Sequence, residues 1–329
     1  MKVLANWWMV VVAILLSVNF ASCGSDNEIP GGGGGDEPTA PKEFEISIGF
    51  GGEISVTDSP LGRAVENNLY AVQVYSKKTS GTEAEVPYAY GLFDDIASLK
   101  LNVTEGYTYR FVASMVKDAK SKIQATDNKY GAPYGNKAVS EGNKFIVSST
   151  KGFDGLENGS ALLVGAASAV AMPTLDRYYG TATLTPNETN KSVTIHMLRT
   201  VFGLKFVAKG LDQEGETVKI AISDAPANLT INYEEGKTEQ ATENIIYSFK
   251  DVLAAATSNT TYTANVTLTI TMNNVDVITK EITVTRNMLS TITINEPNHN
   301  GQISITCEEA EMQTGTNYEI DGDGNVTEK

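Results

Sequence analysis

The side chains of this protein that best support bond-making or metal chemistry through nitrogen or sulfur are few: His196, His299, Cys23 and Cys307. The histidines lie far apart, one in a strand-like run (Ile195-His196-Met197) and one in a turn (Pro297-Asn298-His299-Asn300-Gly301). Nothing spaces them as H-x-x-x-H, the arrangement that puts two imidazoles on one helix face around zinc. His196 alternates with apolar neighbours and reads as an ordinary sheet histidine. No glycine-rich phosphate loop follows a strand, and no G-x-S-x-G nucleophile turn occurs. Asp94-Asp95 sits in a turn, where carboxylates cap backbone amides. Asp321-Gly322-Asp323-Gly324-Asn325 has the acid spacing that opens a calcium loop, but Val326 stands where the sharp turn needs glycine. The expectation is therefore a non-enzyme with no catalytic residue, cofactor or metal.

Cys23 carries the one readable chemistry. Lys2 gives a positive start, Trp7 to Val18 is an apolar run too short to span a bilayer, and Phe20-Ala21-Ser22 leads into Cys23. This pattern is a secretory signal, and a cysteine right after the small pair makes it a lipoprotein signal, cut between Ser22 and Cys23. The thiol would be acylated and outer-membrane lipid would hold the protein, each buried methylene adding about 0.8 kcal/mol. An ordinary secretory signal with a coincidental cysteine is the alternative. Behind Cys23 come Asp26, Glu28 and the run Pro30-Gly31-Gly32-Gly33-Gly34-Gly35-Asp36-Glu37-Pro38, which cannot bury apolar area. Residues 23–42 read as a flexible tether. Its early acids resemble the signal that sends Bacteroidales-type lipoproteins to the cell surface. With Cys23 acylated, Cys307 has no disulfide partner; it is expected as a buried or half-buried strand thiol.

The elements that must position these residues belong to an acidic protein. Its formal charge is −15, and removing Lys2 with the signal makes it −16. Nucleic acid and bare anionic membrane are excluded as partners, because both need Lys and Arg to displace counterions. Alternating or β-branched runs recur at 44–48, 69–75, 98–103, 107–112, 191–195, 201–207, 217–222, 264–272, 277–284 and 290–294. Gly, Asn, Asp and Pro punctuate them as in antiparallel sandwiches. Helical signals are weak: 247–253 could form a turn or two, and 161–171 is ambiguous. Residues 119–143 read as a surface excursion. The polar cluster Thr185-Pro186-Asn187-Glu188-Thr189-Asn190 suggests a break. The predicted organisation is all-β: signal 1–22, tether 23–42, sandwiches at 43–187 and 188–297, and a tail at 298–329. That tail carries seven acids against Lys329.

Several short motifs in order carry a family resemblance. They are Ser59-Pro60-Leu61-Gly62-Arg63-Ala64, the strand Leu69 to Tyr75, Tyr88-Ala89-Tyr90-Gly91-Leu92-Phe93-Asp94, and Gly106 to Phe111. Leu198-Arg199-Thr200-Val201-Phe202-Gly203-Leu204-Lys205-Phe206 and Ile282 to Ile292 follow. Together, over about 44–297, they resemble the fimbrillin superfamily of type V pilus subunits. The resemblance implies two transthyretin-like antiparallel β-sandwiches, export to the outer membrane and cell surface as a lipoprotein, and a fimbrial location after processing. It also implies that a trypsin-like protease cuts after an arginine following the first strand; Arg63 matches that position, leaving Ala64 as the new N-terminus. The strand so removed would present Phe44, Ile46, Ile48 and Phe50 as its apolar face. The groove left behind would be filled by strand addition from another pilus subunit, supporting adhesion.

The tail is the natural donor, with Ile303 and Ile305 alternating against Ser304 and Thr306, and Tyr318 and Ile320 as a second pair. Folding back as an edge strand of its own domain is the alternative. Two other readings stay open. One is a lipid-retaining fimbrial anchor. The other is a surface glycan-binding lipoprotein whose Tyr130, Tyr134, Phe153, Tyr178 and Tyr179 would stack on sugar rings.

Overall fold

The computed structural model describes residues 41–54, 67–96, 99–123, 125–127, 129–134, 139–140, 142–153, 156, 170–173, 175–223, 225, 228–257, 262–274, 276–295, 304–312, 318–320 and 326–328. The signal, Cys23, nearly all of the tether, Arg63, Ala64 and Ile303 lie outside them. From Pro41 onward the protein is one compact unit, and it is all-β.

The first sandwich opens with β1 (Glu43–Gly52), β2 (Leu69–Lys78), β3 (Val86–Phe93), β4 (Leu99–Thr104) and β5 (Tyr107–Val116). An excursion follows: α1 (Ala119–Lys122), then β6 (Ala125–Thr126), β7 (Lys129–Tyr130), β8 (Val139–Ser140), β9 (Ile146–Val147) and β10 (Val170–Pro173). The backbone returns through β11 (Arg177–Leu184) and β12 (Ser192–Arg199). The strand order is β4–β1–β12–β11–β5–β2–β3–β9. β12 pairs with β1 along most of its length but with β11 only at Leu198 and Arg199, so it turns the corner of a rolled sheet. Gly180 makes that corner possible, since a Cβ there would lie 2.4 Å from the His196 carbonyl oxygen.

The second sandwich comprises β13 (Val201–Lys209), β14 (Thr217–Ile222), β15 (Leu229–Asn232), β16 (Glu239–Ala241) and β17 (Ile245–Phe249). After α2 (Val252–Thr257) it continues with β18 (Thr263–Met272), β19 (Asp276–Thr285) and β20 (Met288–Asn295). The tail supplies β21 (Ser304–Glu311), β22 (Tyr318–Ile320) and β23 (Val326–Glu328). One sheet runs β10–β17–β13–β20–β21 with β16 also on β13; the other runs β15–β14–β18–β19. Strict alternation in β14 and β18 puts Val218, Ile220, Val266, Leu268, Ile270 and Met272 between the sheets, and every one is fully buried.

The structure alters three expectations. The break expected at 187/188 falls after Arg199: Val193, Ile195 and Met197 of β12 pack in the first core, and Phe202 opens the second. The junction is a single residue, Thr200, fully buried and hydrogen-bonded on both sides. Its N–H donates to the Arg177 carbonyl at 2.7 Å, and its own carbonyl accepts the Phe249 N–H at 3.1 Å. The excursion is no surface ornament. Ala119, Ile123, Tyr130, Tyr134, Phe153 and Leu156 bury against the outer face of the rolled sheet, and the Gln73 amide oxygen accepts the Phe153 N–H at 2.9 Å. Finally, 245–249 is strand rather than helix. The helix starts only at Val252, where Asp251 accepts the Ala254 N–H at 2.9 Å.

Candidate functional site

β1 owes its strand form to alternation: Phe44, Ile46, Ile48 and Phe50 point one way and polar or small residues the other. All four apolar side chains are buried, three of them with no exposure at all. On one flank β1 runs antiparallel to β4, setting Phe44, Ile46 and Ile48 opposite Val103, Leu101 and Leu99. On the other it runs parallel to β12, setting Ile48 and Phe50 opposite Val193 and Ile195. Phe50 also meets the Tyr70 ring at 5.4 Å. The N-terminal strand of the sandwich thus lies inside its sheet, hydrogen-bonded on both sides. Each such side chain contributes about 1.5–3 kcal/mol by burial, so the slot β1 fills is a deep apolar groove.

The strand ends where it does because Gly52 takes φ of 91°, a conformation only glycine adopts freely, and a Cβ there would strike the Met197 carbonyl. Glu53 then turns inward, its N–H donating to the Met197 carbonyl at 2.8 Å. Its carboxylate accepts the Arg199 backbone N–H at 2.8 Å and both terminal nitrogens of Arg286, one of them at 2.9 Å. Arg286, from the β19–β20 turn, has a side chain only 1% exposed and also donates to the Arg199 carbonyl at 2.8 Å. The Arg199 side chain makes a two-pronged contact with Asp176 at 2.8 and 2.7 Å and reaches Asn287 at 3.3 Å. Burial by itself would lower the Arg199 pKa; the hydrogen bonds and charge of Asp176 outweigh it and hold the guanidinium above its ordinary value. Two arginines and two carboxylates from β1's exit, the 175–177 segment, β12 and the β19–β20 turn therefore meet where the sandwiches join.

No sequence motif singles out this cluster. Its trace in the sequence is a pair of arginines closing apolar strands, Leu198-Arg199-Thr200-Val201 and Val284-Thr285-Arg286-Asn287. Nothing local says that Glu53 reaches them from over a hundred residues away.

The described parts of the tail fold back on their own molecule. β21 pairs antiparallel with β20, Ile305 opposite Ile294 and half-buried against the second core. β22 meets β1 at Phe50 and Ile320, and β23 pairs with β22. Cys307 is exposed on β21, not sheltered as expected, because β21 is an edge strand with almost no buried face. The five rings expected to be free for sugar stacking are all buried: Tyr130 and Phe153 at 6%, Tyr178 at 2%, Tyr179 at 1% and Tyr134 at 0% exposure. Tyr134 instead spends its hydroxyl on the Leu69 carbonyl at 3.0 Å.

No known family profile matches the sequence, and no curated protein does. Among solved structures it is similar to a candidate adhesin from Bacteroides thetaiotaomicron, at 12% identity over 84% of this protein and 100% of that one, with a TM-score of 0.39. A fimbrial assembly protein from Parabacteroides distasonis follows at 13% identity, 88% and 100% coverage, TM-score 0.36. The C-terminally truncated tip fimbrial protein Mfa3 from Porphyromonas gingivalis is similar at 8% identity, 82% and 100% coverage, TM-score 0.34. The similar structures include a further candidate adhesin and candidate cell adhesion proteins beside these fimbrial ones.

Proposed function

We propose that this protein is a structural subunit of a cell-surface fimbria. It is exported as a lipoprotein on Cys23, matured by a trypsin-like protease after Arg63, and polymerised when a strand of another subunit replaces β1. One observation carries the reading. The strand N-terminal to Arg63 is an interior strand whose apolar face closes the first core. A cut after Arg63 breaks its only covalent link to the rest of the sandwich, and the same cut parts the protein from its lipid. The groove then exposed would have unpaired backbone groups on both flanks, the situation in which strand addition is favoured. The donor in this reading is the tail, whose β21 is an edge strand held by one neighbour and whose β22 meets β1 at a single residue pair.

The mass of the protein recovered from fibres tests it. Fibre-bound protein should begin at Ala64, and Arg63→Gln should leave a full-length, lipid-anchored, unassembled form. Fibres built from protein that retains Cys23 would refute processing at Arg63 and turn the assignment toward a lipid-retaining anchor. With all five candidate rings buried, the glycan-stacking reading has lost the residues that motivated it.

A further inference from the structure

We infer that the Arg286 guanidinium and the Arg199 amide form a carboxylate receptor that reads whichever strand occupies the slot of β1. This rests on the reading that another strand takes that place. The receptor sits wholly on the portion that follows Arg63, whereas its present occupant, Glu53, precedes Arg63 and would leave with β1. Three donors converge on the one carboxylate: two guanidinium nitrogens of a side chain 1% exposed, and a backbone N–H at 2.8 Å from the corner of the rolled sheet. A fork of parallel N–H groups plus an amide is specific for a planar anion; a neutral amide side chain would turn an N–H toward one of the donors. The apolar groove alone would accept any alternating apolar segment, so this receptor supplies the register that apolar contacts cannot.

The partner chemistry follows. The incoming segment is extended, with alternating apolar side chains and a Glu or Asp three residues beyond its last inward apolar residue, as Glu53 follows Phe50. A second copy of this protein has that spacing in its tail sequence, where Asp323 follows Ile320. The receptor also couples the slot to the second sandwich, because Arg286 belongs to the β19–β20 turn. An occupant lacking the acid fills the first core yet leaves the junction unlatched.

Two measurements on the full-length protein test this. In the uncut form, Glu53→Gln and Arg286→Met should each lower the urea midpoint, and the double variant should be no worse than the poorer single. Glu53→Asp should recover part of the loss. Fully additive losses would show that the two groups do not act on each other and would overturn the receptor. In the second measurement, full-length protein nicked after Arg63 is offered labelled peptides copying residues 43–54, with Glu or Gln at the position of Glu53. The Glu peptide should bind at least tenfold more tightly, and Arg286→Met should erase the difference. Equal affinity for both peptides overturns the receptor while leaving strand exchange standing. Uptake of neither peptide sinks the exchange reading itself, and the double-variant comparison then decides whether Glu53 and Arg286 are coupled in the uncut protein.

Discussion

The two sandwiches are closed in opposite ways. In the second, the buried core residues among those described run in one continuous stretch from β13 to β20, β10 joins the same sheet at one edge, and what the tail adds is the other edge strand, β21, mostly exposed. In the first, the strand nearest the N-terminus is an interior one, flanked by β4 and β12 and buried along its whole apolar face. Losing an edge strand costs one row of hydrogen bonds and little core. Losing β1 opens the core itself. The second sandwich is thus complete without its terminal piece, while the first is complete only with one.

The largest expected effect tests that asymmetry directly. Phe50→Ala or Ile48→Ala removes a fully buried side chain from a strand with neighbours on both sides. The expected loss is about 3–5 kcal/mol for Phe50 and about 2–5 for Ile48, measured by urea unfolding. If either variant lost less than an exposed edge substitution on β21, β1 would not be completing the core and the contrast would collapse.

How much of this contrast is legible in the sequence depends on range. The alternation of Phe44, Ile46, Ile48 and Phe50 announces a half-buried strand, and Thr217 to Ile222 reads as a strand whose limits the structure matches residue for residue. Local periodicity records which face is apolar, and that is enough for strand and core. Polar turn residues mislead when a turn falls inside a domain: the 185–190 cluster is the β11–β12 connection, because β12 is needed to pair with β1. The aromatics of the excursion look exposed because their surroundings are polar in sequence, yet Tyr130 and Tyr134 close over Leu69 and Val116 from a distance. The Glu53–Arg286 pair is unreadable for the same reason. Ion pairing across more than two hundred residues leaves no periodic trace.

A smaller effect of opposite sign is expected at Arg177. It sits on β11 with no exposure. Its Nε and one terminal nitrogen find no hydrogen-bond partner among the described residues, and the other terminal nitrogen reaches Ser248 only at 3.5 Å. Burial pulls its pKa down to about 10. Replacing a whole buried ion pair by apolar side chains of similar volume is often neutral or stabilising by about 1–4 kcal/mol, and a buried cation without a carboxylate partner has still less attraction to lose. Arg177→Met should therefore raise the unfolding midpoint, whereas Arg199→Met, which strands Asp176, should lower it. Equal signs for the two arginines would mean that the junction does not distinguish a paired from an unpaired cation.

Alkaline pH should separate the sandwiches more gently. Burial raises the phenols of Tyr70 and Tyr88 to about 12, and those of Tyr109, Tyr134 and Tyr178 also upward, all in the first sandwich. The second has Tyr247, raised to about 12, and Tyr262, raised as well. A phenol with a raised folded pKa keeps its proton when the unfolded form, near 10, has lost it. Its stabilisation is complete below about pH 10 and disappears as pH climbs toward about 12. Arg177 works the other way across that window, one group against several. The first sandwich should accordingly unfold first as pH rises past about 10, with phenolate absorbance appearing in step. Simultaneous loss of both would mean the Thr200 junction transmits unfolding as a single cooperative event.

The smallest expected effect on the fold concerns the tail. Truncation after Pro297 removes β21, of which Ile305 is the half-buried apolar contribution to the second core. It also removes the short pairing of β22 with β1 at Phe50. Backbone groups freed on β20 return to water, so the cost to unfolding should be roughly 1–2 kcal/mol, close to that of half-burying one isoleucine plus a few exposed hydrogen bonds. Both sandwiches should stay folded by circular dichroism. Assembly is a different matter: if the tail is the donor, the truncated protein adds to no neighbour, and fibres stop at it. Unchanged fibre growth by the truncated protein would reduce β21 to a plain edge strand and send the search for the donor elsewhere. The asymmetry between the sandwiches predicts the former outcome, since a strand that contributes least to its own domain is the one that costs least to lend.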